Sequence, residues 1–178
     1  TCTKNSGELF ALGDTLVTCD AEDDENNTST ISFDVVVEDH TSPFFTLVPI
    51  DVTVEATGTE GATVDFSVLA SDIVDPAVAL NCSADSGNIF EIGSTTVTCT
   101  ATDASGNSAT ASFEVVIRDT TAPVITAQGA IEVEATSGAG ANVDYLLPVF
   151  DTVDGPGVAT CIPLSGSIFQ IGQSYVSC

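Results

Sequence analysis

Basic residues are almost missing from this chain. Lys4 and Arg118 stand against 26 carboxylates, giving a formal net charge of −24 over 178 residues. A surface of that sign cannot displace the counterions of a nucleic acid duplex, nor dock on anionic lipid. Methionine and tryptophan are absent, and His40 is the one histidine. With no CxxC and no second histidine, a zinc site has no ligand set to draw on. No signal peptide stands before Thr1, and no apolar run is long enough to cross a bilayer, so the chain reads as a segment of a secreted protein. An acidic chain poor in hydrophobic residues would stay disordered. Here 43% of residues are hydrophobic and fall in period-two runs, the pattern of half-buried strands. A folded chain this acidic repels itself unless cations collect on it, which makes cations the first partner the composition suggests.

The six cysteines fall into three equal pairs, Cys2/Cys19, Cys82/Cys99 and Cys161/Cys178, each enclosing sixteen residues. Three local disulfides formed in an oxidising compartment are the economical reading. A loop of that size stabilises a small module by roughly 3 kcal/mol in the chain-entropy picture.

An internal period organises the rest. A shift of 80 residues lays Cys2 on Cys82, Phe10 on Phe90, Cys19 on Cys99, Asp23 on Asp103, Phe33 on Phe113, Asp39 on Asp119 and Pro43 on Pro123. A shift of 79 carries Glu55 onto Glu134, Asp72 and Asp75 onto Asp151 and Asp154, and Cys82 and Cys99 onto Cys161 and Cys178. Such self-similarity marks an array of like modules. Residues 1–40 are the C-terminal part of one repeat, 41–119 a complete repeat, and 120–178 the N-terminal part of a further one. Each joint, Asp39-His40-Thr41-Ser42-Pro43 and Asp119-Thr120-Thr121-Ala122-Pro123, is headed by an acid and stiffened by a proline.

Within 41–119 strands are predicted over 44–50, 52–56, 62–70, 78–83, 89–92, 95–101 and 109–117, with turns at 58–61, 85–87, Gly93 and 103–107. About seven short strands with no helical period indicate an all-β chain of tandem immunoglobulin-like β-sandwich modules of about 80 residues.

These residues resemble the hyalin repeat. Asp119 and Pro123 carry its joint, and Val52, Val54 and Ala56 its first strand. Asp72, Asp75, Cys82, Gly87, Phe90, Gly93, Val97 and Cys99 continue the pattern, and Asp103, Gly106, Asn107, Phe113, Val115 and Ile117 complete it. The resemblance spans essentially the whole chain. It implies an immunoglobulin-like extracellular module used in adhesion and in tandem arrays, with no catalytic activity. Many members have two further cysteines where this chain has Phe44-Phe45-Thr46 and Ala111-Ser112, so one disulfide per module is expected.

In a sandwich of this topology the loop after the second strand and the last hairpin loop share the end at which the chain comes in. That places Asp72, Asp75, Asp103 and Asn107 around the joint headed by Asp39, and Asp151 and Asp154 around the joint headed by Asp119. Glu55 lies at the far pole of its module and approaches Asp119, while Glu134 faces a module beyond the segment. Several charged oxygen ligands converging on a short linker suit calcium at six to eight coordination, whereas magnesium demands stricter octahedral geometry. Loop aspartates also serve simply as turn formers, and no EF-hand loop is present, so such a site is assembled from several loops. Asn26, Asn27 and Asn81 stand in N-x-S/T sequons and make covalent glycans an expected modification.

His40 has no free thiol or serine motif beside it, and a small sandwich offers little room for the concave site that paired carboxylates would need, so no enzyme is read here. Phe10, Phe90 and Phe169 are expected core anchors. The functional expectation is a calcium-stiffened filament, stalk or surface fibre, its partners being like modules head to tail and identical chains in a fibre. Residues 120–178 lack their last two strands, which residues 20–40 of a neighbouring chain can supply; excision from a longer chain is the simpler account. The rivals are an adhesin or receptor module recognising a protein or glycan, with Glu22–Asn27 as its one candidate loop, and an ancillary module of a secreted enzyme.

Overall fold

The computed structural model describes all 178 residues, and every regular element is a strand. Residues 1–40 hold β1 (Gly13–Glu22) and β2 (Thr28–Val37). Residues 41–119 hold β3 (Phe44–Leu47), β4 (Val52–Glu55), β5 (Ala62–Thr63), β6 (Leu69–Ser71), β7 (Ala79–Cys82), β8 (Ile89–Phe90), β9 (Gly93–Thr102) and β10 (Ser108–Arg118). Residues 120–178 hold β11 (Val124–Ile125), β12 (Ala141–Val143), β13 (Pro148–Asp151), β14 (Gly155–Val158) and β15 (Ser167–Phe169). The chain condenses into two compact units, the first made of Thr1–Val48, Ser67–Ser83 and Thr98–Ser112, the second of Pro49–Phe66, Ala84–Val97 and Phe113–Cys178.

In the first unit β1 and β2 form an antiparallel hairpin, β3 pairs with β6, and β7 pairs with the end of β9 so that Cys82 lies opposite Cys99. In the second unit β4 runs parallel to the end of β10, with Val52 opposite Val115 and Val54 opposite Ile117. The resulting sheet order is β4-β10-β9-β7, with β4 at its edge and just after Pro49, a residue that a central strand would not tolerate next to its ladder. An antiparallel set closed by a parallel pairing of an early strand with the last one is the immunoglobulin-like arrangement.

The predicted strand over 62–70 is divided. β5 pairs with β8 and β6 pairs with β3, and the chain between them changes partner. There the Phe66 N–H is satisfied by Ser86 Oγ at 2.9 Å and the Val64 N–H by Asn88 O at 3.1 Å. Period-two alternation reports an extended chain but does not say which neighbour it pairs with.

Alternation does set the core. Val97, Cys99 and Ala101 on one face of β9, and Phe113, Val115 and Ile117 on one face of β10, are each at most 4% exposed. Phe66 meets Phe113 edge to face at 5.0 Å between centroids, a geometry that contributes about 0.5–1.5 kcal/mol beyond the area buried. Gly61 has φ 98°, and a Cβ there would land on the Phe90 carbonyl oxygen; Gly140 stands in the same relation to Phe169. Only glycine lets these backbones approach so closely. Of the three repeat-equivalent phenylalanines, Phe90 is buried, while Phe10 and Phe169 are half-buried. Three disulfides join Cys2–Cys19, Cys82–Cys99 and Cys161–Cys178.

Candidate metal centre

Asp39 follows β2, Asp72 begins the loop after β6, and Asp103 heads the tip between β9 and β10. One carboxylate oxygen of each lies within 4.8 Å of the other two. Asp39 and Asp103 are each 7% exposed and Asp72 is half-buried. Two like charges at that separation repel by about 3–4 kcal/mol at an effective dielectric of about 20. Something on the chain or bound to it has to offset this.

Asp39 and Asp72 each use one oxygen to hold their own loop, and Asp103 uses both. Asp39 Oδ1 accepts from the Thr41 N–H at 2.9 Å, and Asp72 Oδ1 accepts from the Val74 and Asp75 N–H groups at 2.8 and 2.9 Å. Asp103 Oδ1 accepts from the Asn107 N–H at 2.8 Å, and its Oδ2 from Asn107 Nδ2 at 2.9 Å. The same Asn107 Nδ2 donates to Asp39 O at 3.1 Å and so ties the hairpin tip to the joint. Burial pushes the Asp103 carboxyl up, but donation by the Asn107 side chain and by the backbone of Asn107, Gly106 and Ser105 outweighs it and holds the group below the usual carboxylate range. The second oxygens of Asp39 and Asp72 are buried with no hydrogen-bond partner. A buried carboxylate oxygen left bare is costly, and it is the kind of atom a hard cation takes as a ligand. The donor set is all oxygen, which fits calcium.

Asp119, Asp151 and Asp154 form a second group, again with ligand oxygens within 4.8 Å of one another. Its scaffold repeats the first: Asp119 Oδ1 accepts from the Thr121 N–H at 3.1 Å, and Asp151 Oδ1 from the Val153 and Asp154 N–H groups at 2.7 and 3.0 Å. Asp151 is 6% exposed, Asp119 half-buried and Asp154 exposed.

The remaining sequence candidates lie elsewhere. Asp75 belongs to neither group; its Oδ2 accepts from the Ala104 N–H at 2.5 Å and its Oδ1 from the Ala77 N–H at 2.9 Å, so it ties the loop after β6 to the hairpin tip. Glu55 is engaged by the joint itself. Its Oε1 accepts from the Thr120 N–H at 2.8 Å and Thr121 Oγ1 at 2.7 Å, and its Oε2 accepts from Thr120 Oγ1 at 2.8 Å. Donation by the Thr120 backbone, then by the Thr121 and Thr120 hydroxyls, lowers the Glu55 pKa. Glu134 is exposed and belongs to neither acidic group. Asn26, Asn27 and Asn81 are all exposed, but Asn27 Nδ2 already donates to both Asp23 oxygens, at 3.2 and 2.9 Å. Thr120 and Thr121 escaped the sequence reading; the signal available was a pair of hydroxyl residues directly after the acid of the joint.

The loop at Glu22–Asn27, the candidate recognition loop, is a clasped hairpin tip. Asp23 Oδ1 accepts from the Asn27 N–H at 2.9 Å and Asp23 Oδ2 from Asn27 Nδ2 at 2.9 Å, the same clasp that Asp103 makes with Asn107.

A family model for the HYR domain matches residues 38–117. Over 98% of its length the chain is 31% identical to Hyalin of Strongylocentrotus purpuratus and, again at 31% over 98%, to Hyalin of Lytechinus variegatus. The chain spans 15% of the first relative and 35% of the second. Among solved structures, protocadherin gamma B7 EC3–6 and protocadherin gamma B2 extracellular cadherin domains 3–6 align at TM-scores of 0.36 and 0.35, each at 18% identity over 78% of this chain and 43% of theirs.

Proposed function

The chain belongs to the HYR domain family, and from that premise we propose that it is a structural, non-catalytic stretch of an extracellular tandem array whose joints are stiffened by calcium. The array reading divides it as 1–40, 41–119 and 120–178. One observation carries the metal reading: the bare, buried Oδ2 atoms of Asp39 and Asp72 in a group completed by Asp103.

Asp39, Asp72 and Asp103 would hold the ion at the first joint, and Asp119, Asp151 and Asp154 at the second. Bound there, calcium supplies the positive charge that neutralises neighbouring carboxylates. The chain's own residues do the rest. Thr41 holds one oxygen of Asp39, and Val74 and Asp75 one oxygen of Asp72, so the bare oxygens of these two acids are already oriented before an ion arrives, while Asn107 holds both oxygens of Asp103. Asn107 links the hairpin tip to the joint backbone, and Glu55 links the end of β4 to Thr120 and Thr121 at the next joint. A joint clasped from several elements cannot swing, and successive clasped joints make a rod. Disulfides suit the extracellular setting, and exposed Asn26 and Asn81 are sites for glycans.

The adhesin reading keeps Glu22–Asn27 as its candidate loop: the tip shares the clasp of Asp103–Asn107 but carries exposed Glu22, Asp24 and Glu25 where that tip has Thr102, Ala104 and Ser105. Electron microscopy of native material with and without excess chelator tests the proposal. Rods with the module repeat that soften or disassemble on chelation are expected; unchanged length and stiffness would sink the calcium mechanism.

A further inference from the structure

Lys4 and Arg118 are the two basic residues of the chain. Lys4 is occupied, its ammonium 3.6 Å from the Glu8 carboxylate and donating to Leu9 O at 3.4 Å. Arg118 is exposed and forms no ion pair, although 26 carboxylates are available. Its neighbour across the parallel ladder is Glu55, but that carboxylate is taken by Thr120 and Thr121. The repeat does not call for a base at this position, since the residue 80 places earlier is Glu38. A free arginine in so acidic a chain is a feature that another protein can read.

A joint follows it. β10 ends at Arg118, and Asp119–Pro123 lies outside any strand. No disulfide spans the Arg118–Asp119 bond: Cys2–Cys19 and Cys82–Cys99 close before it and Cys161–Cys178 after it. Breaking that single bond therefore ends the covalent connection between its two sides. In the folded chain the bond is closed by two restraints. The Arg118 carbonyl accepts from the Ala56 N–H at 2.7 Å, and the Glu55 carboxylate holds the two residues after Asp119. A protease takes its substrate as an extended segment laid along its cleft, so both restraints must let go before the bond is reached.

We propose that Arg118–Asp119 is a processing site for a serine protease with an acidic specificity pocket, and that Glu55 is its gate. An acidic pocket selects a basic side chain before the cut, and Arg118 is the one that stands free at a joint. In the cut, the C–N bond between Arg118 and Asp119 breaks with uptake of one water, leaving a carboxylate on Arg118 and an amine on Asp119. The end of β10 must leave the sheet as far as Ile117, which is 1% exposed, so the site is closed at rest and opens in a minority of molecules. Cleavage then tracks the open population, which the Glu55 hydrogen bonds keep small. On the tandem-array reading, a cut here parts one module from the next, whereas the first joint, with Glu38 before Asp39, has no such bond.

The test digests the 178-residue chain, disulfides intact, with a trace of trypsin in chelator, so that bound calcium plays no part. Rates are read by intact mass and divided by the rate on a small arginine amide in the same buffer. The wild type is expected to release residues 119–178 as one fragment. Its rate is expected to stay nearly flat in urea up to the foot of the unfolding transition, because opening a joint exposes far less surface than unfolding a module. Glu55→Gln is expected to be cut about fivefold faster, since the charge-assisted hydrogen bonds that close the joint are weakened. Arg118→Gln is expected to release no such fragment. A wild-type joint that stays uncut, a rate that climbs with urea in step with unfolding, Glu55→Gln cut no faster than wild type, or the fragment appearing from Arg118→Gln would each overturn the proposal. Loss of the calcium reading would touch none of these results, because no calcium is present in the assay.

Discussion

Asp39 divides its labour between its two carboxylate oxygens. One accepts the Thr41 N–H and shapes the turn into Pro43; the other is buried without a partner, in a residue grouped with Asp72 and Asp103. That division has a consequence of opposite sign in two solutions. In chelator, Asp39→Asn removes a charge from a repelling trio and is expected to raise the melting temperature. In millimolar calcium it removes a ligand and is expected to lower it, with calcium affinity falling at least about tenfold, or roughly 1.4 kcal/mol. Calorimetry of both proteins in both buffers checks the sign reversal; a variant shifted equally in the two buffers would remove Asp39 from the metal reading. At this scale the acids were legible, because the period lays Asp72 and Asp75 on Asp151 and Asp154. Their separate duties were not. Asp72 joins the trio while Asp75, three residues on, caps Ala104 and Ala77. A spacing of three in a loop does not tell which way each side chain turns.

Among the elements, β4 and the hairpin β9–β10 define the joints. β4 ends at Glu55, whose carboxylate gathers three hydrogen bonds from Thr120 and Thr121. Its pKa lies below the ordinary value, so its contribution to stability is present above about pH 4 and is lost as pH falls through the lower folded value. Glu55→Gln is therefore expected to melt below the wild type at pH 7, with the gap closing below about pH 4. Thermal melts between pH 7 and 2.5 measure it, and a gap that persists at the acid end would mean that Glu55 acts through packing and not through its charge. Strand positions such as 44–47, 52–55, 79–82 and 108–118 were readable from alternation and turn residues. The division of 62–70 was not, because partner exchange depends on β3 and β8, far away in sequence.

For the whole molecule the governing quantity is the charge of −24. Without cations, self-repulsion opposes the compact state over distances set by the Debye length, about 30 Å at 0.01 M salt and about 8 Å at 0.15 M. The melting temperature in chelator is expected to rise with sodium chloride across that range, and to rise much less when calcium already neutralises the joints. Scanning calorimetry against ionic strength, with and without calcium, checks both slopes; equal slopes would mean that bound calcium relieves none of the repulsion.

The sequence by itself determined the all-β class, the period near 80 residues, the pairing of the cysteines and the concentration of acids at the joints. Each of these is written in local pattern: alternation, repetition, equal spacing, composition. Only the tertiary structure decided which oxygens stay bare, that Glu55 binds the joint through threonines, and that Glu22–Asn27 is a clasped tip. Those facts belong to pairs of residues brought together across long stretches of chain. Local pattern carries no information on which of many compatible neighbours a backbone or carboxylate will meet, and the meeting settles both the strand pairing and the electrostatics.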